Sequence, residues 1–361
     1  MVVPFTGIYL TQARGLSVTA AGLAMTVYGV GSLISQLVAG VLTDRIGRRA
    51  TLAGSMLAAA AAMVGLGYST TLPMILTGML VLGLLVEAYR PASSALVADL
   101  VTASERPMAY GLLFWAINLG YAVSMVAGGW LAHLGFVWLF LADAATSVVF
   151  AVLVWRAVPE TSSRETTETG GLVTVLRDRT MLAFTLVGFG NALVYMQTAT
   201  MLPVAMTAVV GLDTREFGKA MALNGILIVV FQPLVSGRLG RRDPARVLAL
   251  SLAVMAVGFA ATAYADSAAS LAVTVVLWTI GEILGAGIIG TIVAQLAPAH
   301  LRGRYSGLFG FAWAAAAVLA PGLGSRLLAI GMEALWFTVG AVGLAAALGM
   351  LALGPAIRRR G

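Results

Sequence analysis

Long apolar runs separated by short polar segments make up almost the whole chain. Eleven of these runs are long enough to cross a bilayer as helices, which takes about 20 apolar residues each. They cover approximately residues 18–43, 50–69, 72–98, 108–133, 136–156, 180–206, 216–239, 246–265, 269–297, 304–330 and 333–354. A shorter run at 1–10 precedes them and is counted here as the first span. The pattern predicts an all-α polytopic membrane protein.

The longest polar stretch divides these spans into two sets. It lies at 159–179 and is rich in charged and hydroxyl-bearing residues. We therefore predict an N-terminal six-helix half at 1–158, a cytoplasmic linker at 159–179 and a C-terminal six-helix half at 180–361.

An internal repeat supports two related halves. An offset of 196 residues aligns Gly15-Leu16 with Gly211-Leu212, Ala24-Met25 with Ala220-Met221, Gln36 with Gln232, Arg106 with Arg302, and Gly111-Leu112 with Gly307-Leu308. One offset that holds across several segments is hard to obtain from shared apolar composition alone. Two parallel six-helix repeats are a known architecture of secondary transporters. Because the seventh span begins near residue 180, the repeat also predicts that most of the first helix is missing from this sequence, either because the start was assigned too late or because the protein is truncated.

Composition and charge exclude several classes of protein. Hydrophobic residues make up 60% of the chain and charged residues only 10%, against about 25% charged residues in an average soluble domain. So few charges cannot cover a water-exposed surface, which argues against a soluble enzyme, a nucleic-acid-binding protein and a disordered chain. The net charge of +7 comes mainly from arginines between the spans, so it indicates membrane topology and no nucleic-acid partner.

The arginines alternate between the two sides of the predicted membrane. One set of connections and the C-terminal tail contain Arg45, Arg48, Arg49, Arg106, Arg156, Arg164, Arg177, Arg179, Arg238, Arg241, Arg242, Arg302, Arg304 and Arg358–Arg360. The other set holds little beyond Arg14, Arg215 and Lys219. Since basic residues are retained in the cytoplasm, we expect the first set and the C-terminus to be cytoplasmic. The expected location is the cell (cytoplasmic) membrane.

The chain offers little for metal or covalent chemistry. It contains no cysteine and only two histidines, His133 and His300, far apart in sequence. We find no phosphate-binding loop and no nucleophile with a base at a recognisable spacing. We therefore expect no enzyme activity, no metal site and no bound cofactor.

One motif lies between the second and third spans. It reads Gly40-Val-Leu-Thr-Asp44-Arg45-Ile-Gly47-Arg48-Arg49 and is placed in a cytoplasmic loop. The segment resembles the signature G-x-x-x-D-R-x-G-R-R of the major facilitator superfamily, and every specified position matches. The resemblance implies two pseudo-symmetric six-helix bundles that work by alternating access.

The same resemblance implies a latch that stabilises the outward-facing state. In it, Asp44 accepts hydrogen bonds at the start of the eleventh span, near Gly303, and Arg48 pairs with Asp99. Gly40 would permit close helix approach, and Gly47 a tight turn. The alternative is that the arginines of the motif only set the topology.

The fifth span carries a second family-like pattern. Gly111, Gly120, Gly128 and Gly129 resemble the pattern G-x8-G-x3-G-P-x2-G-G of drug:proton antiporters in the superfamily. Here Ser124-Met125 replaces the Gly-Pro pair, which is a departure from the pattern. The resemblance implies an exporter, whereas small residues at these spacings also allow close packing in any membrane helix.

Charged residues inside the spans are the best candidates for coupling. Glu87 and Arg90 lie one helical turn apart in the fourth span, so they form either a static ion pair or part of a proton path. Glu282, in the tenth span, has no basic residue on its own helix and is the main proton-coupling candidate. Asp143, in the sixth span, has either a coupling or a structural role.

Polar and aromatic residues of six spans are candidates for the substrate cavity. An apolar cavity with aromatic walls and a few amides suits amphiphilic ligands, although each residue could instead serve helix packing. The candidates are Tyr28, Gln36, Arg90, Phe114, Trp115, Asn118, Asn191, Tyr195, Gln197, Asn224, Gln232 and Trp278.

Together these features predict a secondary transporter that exports small amphiphilic compounds by alternating access, driven by the proton gradient. Its expected partners are a small-molecule substrate, protons and the lipid bilayer, and we expect a monomer. The alternatives are a symporter or uniporter for a sugar, amino acid or other metabolite, and a truncated relic that does not transport.

Overall fold

The computed structural model describes residues 6, 9–16, 18–161, 171–212, 214–239 and 242–360. Within these ranges the chain is helical and contains no strand. The helices are α1 (Val18–Ile46), α2 (Arg48–Tyr68), α3 (Leu72–Val86), α4 (Tyr89–Leu100), α5 (Arg106–Leu134), α6 (Phe136–Ala157), α7 (Leu172–Arg177), α8 (Arg179–Val204), α9 (Thr214–Leu239), α10 (Pro244–Ala261), α11 (Ala268–Leu296), α12 (Arg302–Ile330) and α13 (Met332–Arg358).

The predicted spans correspond to these helices. In the described ranges, ten helical segments are long and apolar enough to cross a membrane, and α5 adds a further helix of 29 residues. The chain is therefore a multi-pass membrane protein. Of the short first run, Met1–Phe5, Gly7 and Ile8 lie outside the described residues.

The fourth span differs from the single continuous helix that its apolar pattern predicts. It is interrupted at Glu87 and Ala88, between α3 and α4, where Ala88 N donates to Leu85 O and Arg90 N to Glu87 O over three residues. Pro91 explains the break, because it has no N–H to donate to Glu87 O and its ring crowds the carbonyl four residues before it. The candidate charge pair Glu87–Arg90 thus lies at a break within the span.

Close packing divides the chain into two compact units. Unit 1 comprises Met1–Leu100, Leu119–Leu172 and Ala299–Ala314, and unit 2 comprises Val101–Asn118, Val173–Pro298 and Ala315–Gly361. Each unit thus includes a segment from the other predicted half: 299–314 belongs to unit 1 and 101–118 to unit 2. The division into halves at 1–158 and 180–361 stays a prediction.

The core of unit 1 forms where α1 packs on α3 and α2 packs on α6. Tyr9, which precedes α1, is buried in this core with its ring centroid 4.7 Å from that of Phe140. Its hydroxyl donates to Leu66 O at 2.9 Å, and Arg14 Nη2 donates to Gly67 O at 2.6 Å. These bonds attach the segment before α1 to the end of α2.

The core of unit 2 centres on α10, which packs against α11 and α13. Phe259 of α10 stacks on Trp278 of α11 and Trp336 of α13, with ring centroids 5.4 and 6.3 Å away. All three side chains are buried. Aromatic stacking of this kind joins the three helices.

Close packing of α1 and α3 depends on a glycine, which gives a stability prediction. A Cβ at Gly83 would overlap the main-chain oxygen of Tyr28. We expect Gly83→Ala to lower the free energy of unfolding by about 1–3 kcal/mol, since α1 and α3 would have to move apart and lose packing. Thermal unfolding of the protein in detergent micelles measures the effect.

Gly54 of α2 is the matched control, because a Cβ there would meet no described atom within 4 Å. Gly54→Ala should leave the unfolding temperature unchanged or raise it slightly, since alanine has the higher helix propensity. Equal unfolding temperatures for the two variants would contradict this account of the α1–α3 contact.

Candidate functional site

The glycine- and arginine-rich motif is mostly helical, so its predicted placement in a loop is wrong. Helix α1 continues to Ile46 and α2 begins at Arg48, which leaves Gly47 as the only residue between them. Gly47 has φ +107°, a conformation that favours glycine. The corner is so short because a single glycine can reverse the chain there.

Asp44 lies at the end of α1 and caps the start of α12. Its Oδ1 accepts a hydrogen bond from Gly303 N at 2.8 Å, and its Oδ2 accepts one from Arg304 N at 3.0 Å. Arg304 Nη1 also lies 3.5 Å from Asp44 Oδ2. A carboxylate at a helix N-terminus satisfies main-chain donors and interacts favourably with the helix dipole. The contact with the start of the eleventh span has the geometry that the family resemblance implies.

Asp99, at the end of α4, accepts hydrogen bonds from two arginines. Arg48 Nε donates to Asp99 Oδ2 at 2.9 Å, and Arg302 donates to Asp99 Oδ1. Thr161 Oγ1 also donates to Asp99 Oδ2, at 3.0 Å. Arg48 is fully buried, and its Nη2 donates to Ala299 O at 2.9 Å. A buried guanidinium needs such a carboxylate, because an unpaired charge is costly away from water.

The segment after α6 binds the start of α2. Glu160 Oε1 accepts from Arg49 N at 3.3 Å and Oε2 from Ala50 N at 3.2 Å. Arg49 lies over the ring of Trp155, 4.8 Å from its centroid. Arg45 is exposed. The start of the predicted linker therefore contacts the motif through Glu160 and Asp99 through Thr161.

Glu87 is surrounded by donors in unit 1. Arg90 Nε donates to Glu87 Oε2 at 2.6 Å, Gln36 Nε2 lies 3.4 Å from the same oxygen, and the side chain of Tyr28 lies near the carboxylate. The side chain of Arg90 is 54% exposed. Because a guanidinium within a span is costly to expose to lipid, this exposure indicates that Arg90 faces a water-filled space.

Glu282, in unit 2, lies one residue before the repeat partner of Glu87 and has only neutral hydrogen-bond partners among the described residues. Tyr195 Oη donates to Glu282 Oε1 at 3.0 Å, and Asn224 Nδ2 donates to Glu282 Oε2 at 2.8 Å. Asn224 Nδ2 also lies 2.9 Å from Thr279 Oγ1. Glu282 is 6% exposed, and no basic side chain of the described residues lies within ion-pair distance of it.

The two glutamate sites follow the internal repeat. Tyr28 and Asn224 differ by 196 residues; Tyr28 lies near Glu87, and Asn224 donates to Glu282. Gln36 and Gln232 have the same offset, and they bind Glu87 Oε2 and Ile283 O, which also differ by 196. The repeat that aligned the sequences therefore also relates the contacts inside the two units.

The remaining cavity candidates mostly serve helix packing in this structure. Asn191, Gln197, Gln232 and Trp278 are buried. Gln197 Nε2 donates to Ala320 O of α12 at 3.3 Å. Their roles in substrate binding stay predictions, since buried side chains can become accessible only if helices move.

Three candidates on α5 make contacts of their own. Trp115 Nε1 donates to Val229 O at 3.0 Å, and Asn118 Nδ2 donates to Phe114 O at 2.9 Å. Asp143 is half-buried in α6. The structure shows where Asp143 and these three residues lie. Their roles in coupling and in substrate binding stay predictions.

The glycines of the α5 pattern differ in how closely other residues approach them. A Cβ at Gly111 would overlap Ser236 Oγ of α9, so this glycine allows close approach within unit 2. A Cβ at Gly120 would meet no described atom within 4 Å. Gly128 and Gly129 lie in the same helix. The pattern as a motif of export thus remains a prediction.

Sequence reasoning missed four residues of these sites. The repeat aligned Arg302 with Arg106, but no sequence pattern indicated that Arg302 would bind Asp99. No sequence pattern marked Glu160, Thr161 or Thr279, because their hydrogen-bond partners are 55 to 111 residues away along the chain. Long-range hydrogen bonds of this kind follow from helix packing and not from local spacing.

The apolar helices and the buried charges within them define a polytopic helical membrane protein. The model of the Major Facilitator Superfamily matches residues 1–321. The chain therefore belongs to the major facilitator superfamily. It is accordingly a secondary transporter for small molecules and not an enzyme.

Similar proteins are known among both sequences and solved structures. The chain is 25% identical over 357 residues to the uncharacterized MFS-type transporter YhjO of Bacillus subtilis, covering 97% of this chain and 88% of the relative. It is 25% identical over 317 residues to the multidrug resistance protein MdtH of Escherichia coli, covering 85% and 77%. The structure of the proton:xylose symporter XylE has a TM-score of 0.80 at 16% identity, covering 97% of this chain and 91% of that one.

The Asp99 cluster gives a second stability prediction. Asp99→Asn would leave the buried guanidinium of Arg48 without a carboxylate, so we expect a loss of about 3–5 kcal/mol in the free energy of unfolding. Thermal or denaturant unfolding in detergent measures it. Glu105→Gln is the control, since Glu105 is an exposed carboxylate that only accepts bonds from Thr102. If both variants are equally stable, the cluster does not stabilise unit 1.

Proposed function

We propose that this transporter exports small amphiphilic compounds in exchange for protons and that Glu282 carries the proton. The observation behind the proposal is the set of partners around Glu282. Its carboxyl group is buried and accepts hydrogen bonds from Tyr195 and Asn224, both neutral. An ionised carboxylate in such a place is costly without a counter-cation, and protonation removes that cost.

Glu87 is the weaker candidate for the same task. Its charge is compensated by Arg90 at 2.6 Å, and Gln36 supplies a further donor. Protonation of Glu87 would leave the arginine without a partner. Glu87 and Glu282 thus differ in their partners, since Glu87 pairs with Arg90 and Glu282 accepts from two neutral side chains. In the proposal, Glu282 is the one that exchanges a proton.

The coupling of proton and substrate follows from alternating access. A proton on Glu282 and a substrate molecule would favour opposite orientations of the cavity, so that each promotes release of the other. The contacts of Asp44 with α12 and of Asp99 with Arg48 and Arg302 stabilise the conformation seen in this structure. In the proposal they act as the latch of one orientation.

The substrate class rests on the cavity candidates and on one relative. Aromatic residues such as Tyr28, Phe114 and Trp115, with amides such as Asn118, suit amphiphilic compounds. The relative in Escherichia coli bears the name multidrug resistance protein. The rest of the proposal is a monomer in the cell membrane with a cytoplasmic C-terminus, driven by the proton gradient and without a cofactor.

A symporter for a polar metabolite is the second candidate. The half-exposed guanidinium of Arg90 favours it, because a fixed positive charge facing water can bind an acidic or strongly polar substrate. The structurally similar XylE is a proton:xylose symporter, although at 16% identity this likeness supports the fold alone.

Transport by purified protein in proteoliposomes tests the proposal. The probe is ethidium, a fluorescent amphiphilic cation, and a pH gradient is imposed across the vesicle membrane. We expect gradient-driven ethidium movement by the wild type and a loss of at least about 100-fold in Glu282→Gln, which cannot exchange the proton. Ethidium fluorescence in vesicles that enclose DNA gives the rate.

Glu333→Gln is the matched control, since Glu333 is an exposed carboxylate at the start of α13. Its transport rate should equal that of the wild type. Full gradient-driven transport by Glu282→Gln would remove Glu282 from the proton path. Movement of labelled sugars or amino acids with the gradient, in place of ethidium, would favour the symporter.

A further inference from the structure

Gln36 of α1 contacts both the Glu87–Arg90 pair and α12. Its Nε2 lies 3.4 Å from Glu87 Oε2. On its other side, a Cβ at Gly307 would overlap the main-chain oxygen of Gln36, and a Cβ at Gly310 would overlap its Oε1. The amide therefore lies between a charged pair and a helix face where only glycine leaves room.

The orientation of this amide leaves its oxygen without a hydrogen bond. Only Nε2 can face the carboxylate of Glu87, because two oxygens would repel each other. Oε1 then faces α12, where it is buried and accepts no hydrogen bond, and the side chain is 2% exposed. A buried acceptor without a donor disfavours the packed arrangement relative to one in which water reaches it.

The repeat-related residue Gln232 of α9 has the same orphaned oxygen but a different partner. Its Nε2 donates to Ser236 Oγ at 2.8 Å and to Ile283 O at 3.2 Å, and its Oε1 is buried without a donor. Gly111 of α5 packs beside it, with a Cβ position 3.3 Å from Gln232 Nε2. Gln232 is thus held by a hydroxyl and a main-chain carbonyl, neither of which changes charge during transport.

We propose that Gln36 is a positioning residue that couples the Glu87–Arg90 pair to the closing of α12 on α1. The inference rests on the alternating-access cycle proposed above. While Glu87 holds the amide nitrogen, the orphaned oxygen opposes close approach of α12. A substrate group that draws Glu87 or Arg90 away releases the amide, which can then turn its oxygen toward a donor and favour closure.

Spin labels measure this closure directly. The chain contains no cysteine, so two introduced cysteines are the only labelling sites. Ile46→Cys and Ala299→Cys place labels at exposed positions beside the contact between α1 and α12, and both belong to unit 1. Double electron–electron resonance of the labelled protein in lipid nanodiscs gives the populations of short and long distances.

A double-mutant cycle with Gln36→Met and Glu87→Gln tests the coupling without substrate or gradient. With a glutamine at 87 the Gln36 amide can turn, so that its Oε1 leaves α12 and accepts from the new amide, and a methionine at 36 has no oxygen to satisfy. Each single substitution should therefore raise the ratio of short to long distances by at least about fivefold. The double variant should show no more than the larger single effect, because both remove the same penalty.

Gln232→Met is the control background. There, Glu87→Gln should still shift the distances as it does in the wild type, because Gln232 does not contact Glu87. The proposal is overturned if Glu87→Gln has no effect, or if its effect is the same with and without Gln36→Met. Gln36→Leu repeats the cycle if the methionine variant fails to fold. Since no substrate is present, failure of ethidium export in the earlier experiment leaves this test unaffected.

Discussion

The constraint on which this structure depends is the cost of a charge away from water. Arg48 is fully buried, and it is tolerated because Asp99 accepts from it while Ala299 O binds its outer nitrogen. Asp44 is satisfied in turn by the first main-chain donors of α12. These pairings fix how α1, α2, α4 and α12 meet, since each charge has to find its partner on another helix.

The same constraint separates the two glutamates of the internal repeat. Glu87 is neutralised by an arginine one turn away, at a break in the helix that Pro91 causes. Glu282, one residue before the repeat partner of Glu87, has a tyrosine and an asparagine in place of a cation. In this structure, therefore, Glu87 has a cationic partner and Glu282 accepts hydrogen bonds from two neutral side chains. This asymmetry is the basis of the proposed coupling.

Much of the fold could be predicted from the sequence, because apolar runs and the repeat act over long segments. The spans, the family and the contact of Asp44 with the start of the eleventh span all follow from local pattern or motif. The turn at Gly47 was predicted correctly, but the span before it was expected to end near residue 43, because the motif is rich in polar residues, and α1 in fact continues to Ile46. The binding of Glu160 to the start of α2 could not be predicted, because it depends on how α6 packs.

The central claim is that Glu282 gives up a proton when substrate binds, and proton release measures it most directly. Ethidium is added to the purified protein in weakly buffered detergent solution, and a pH indicator reports the protons released. The account predicts about one proton per bound ethidium for the wild type and none for Glu282→Gln at equal ethidium occupancy. Equal proton release by the two proteins would contradict it.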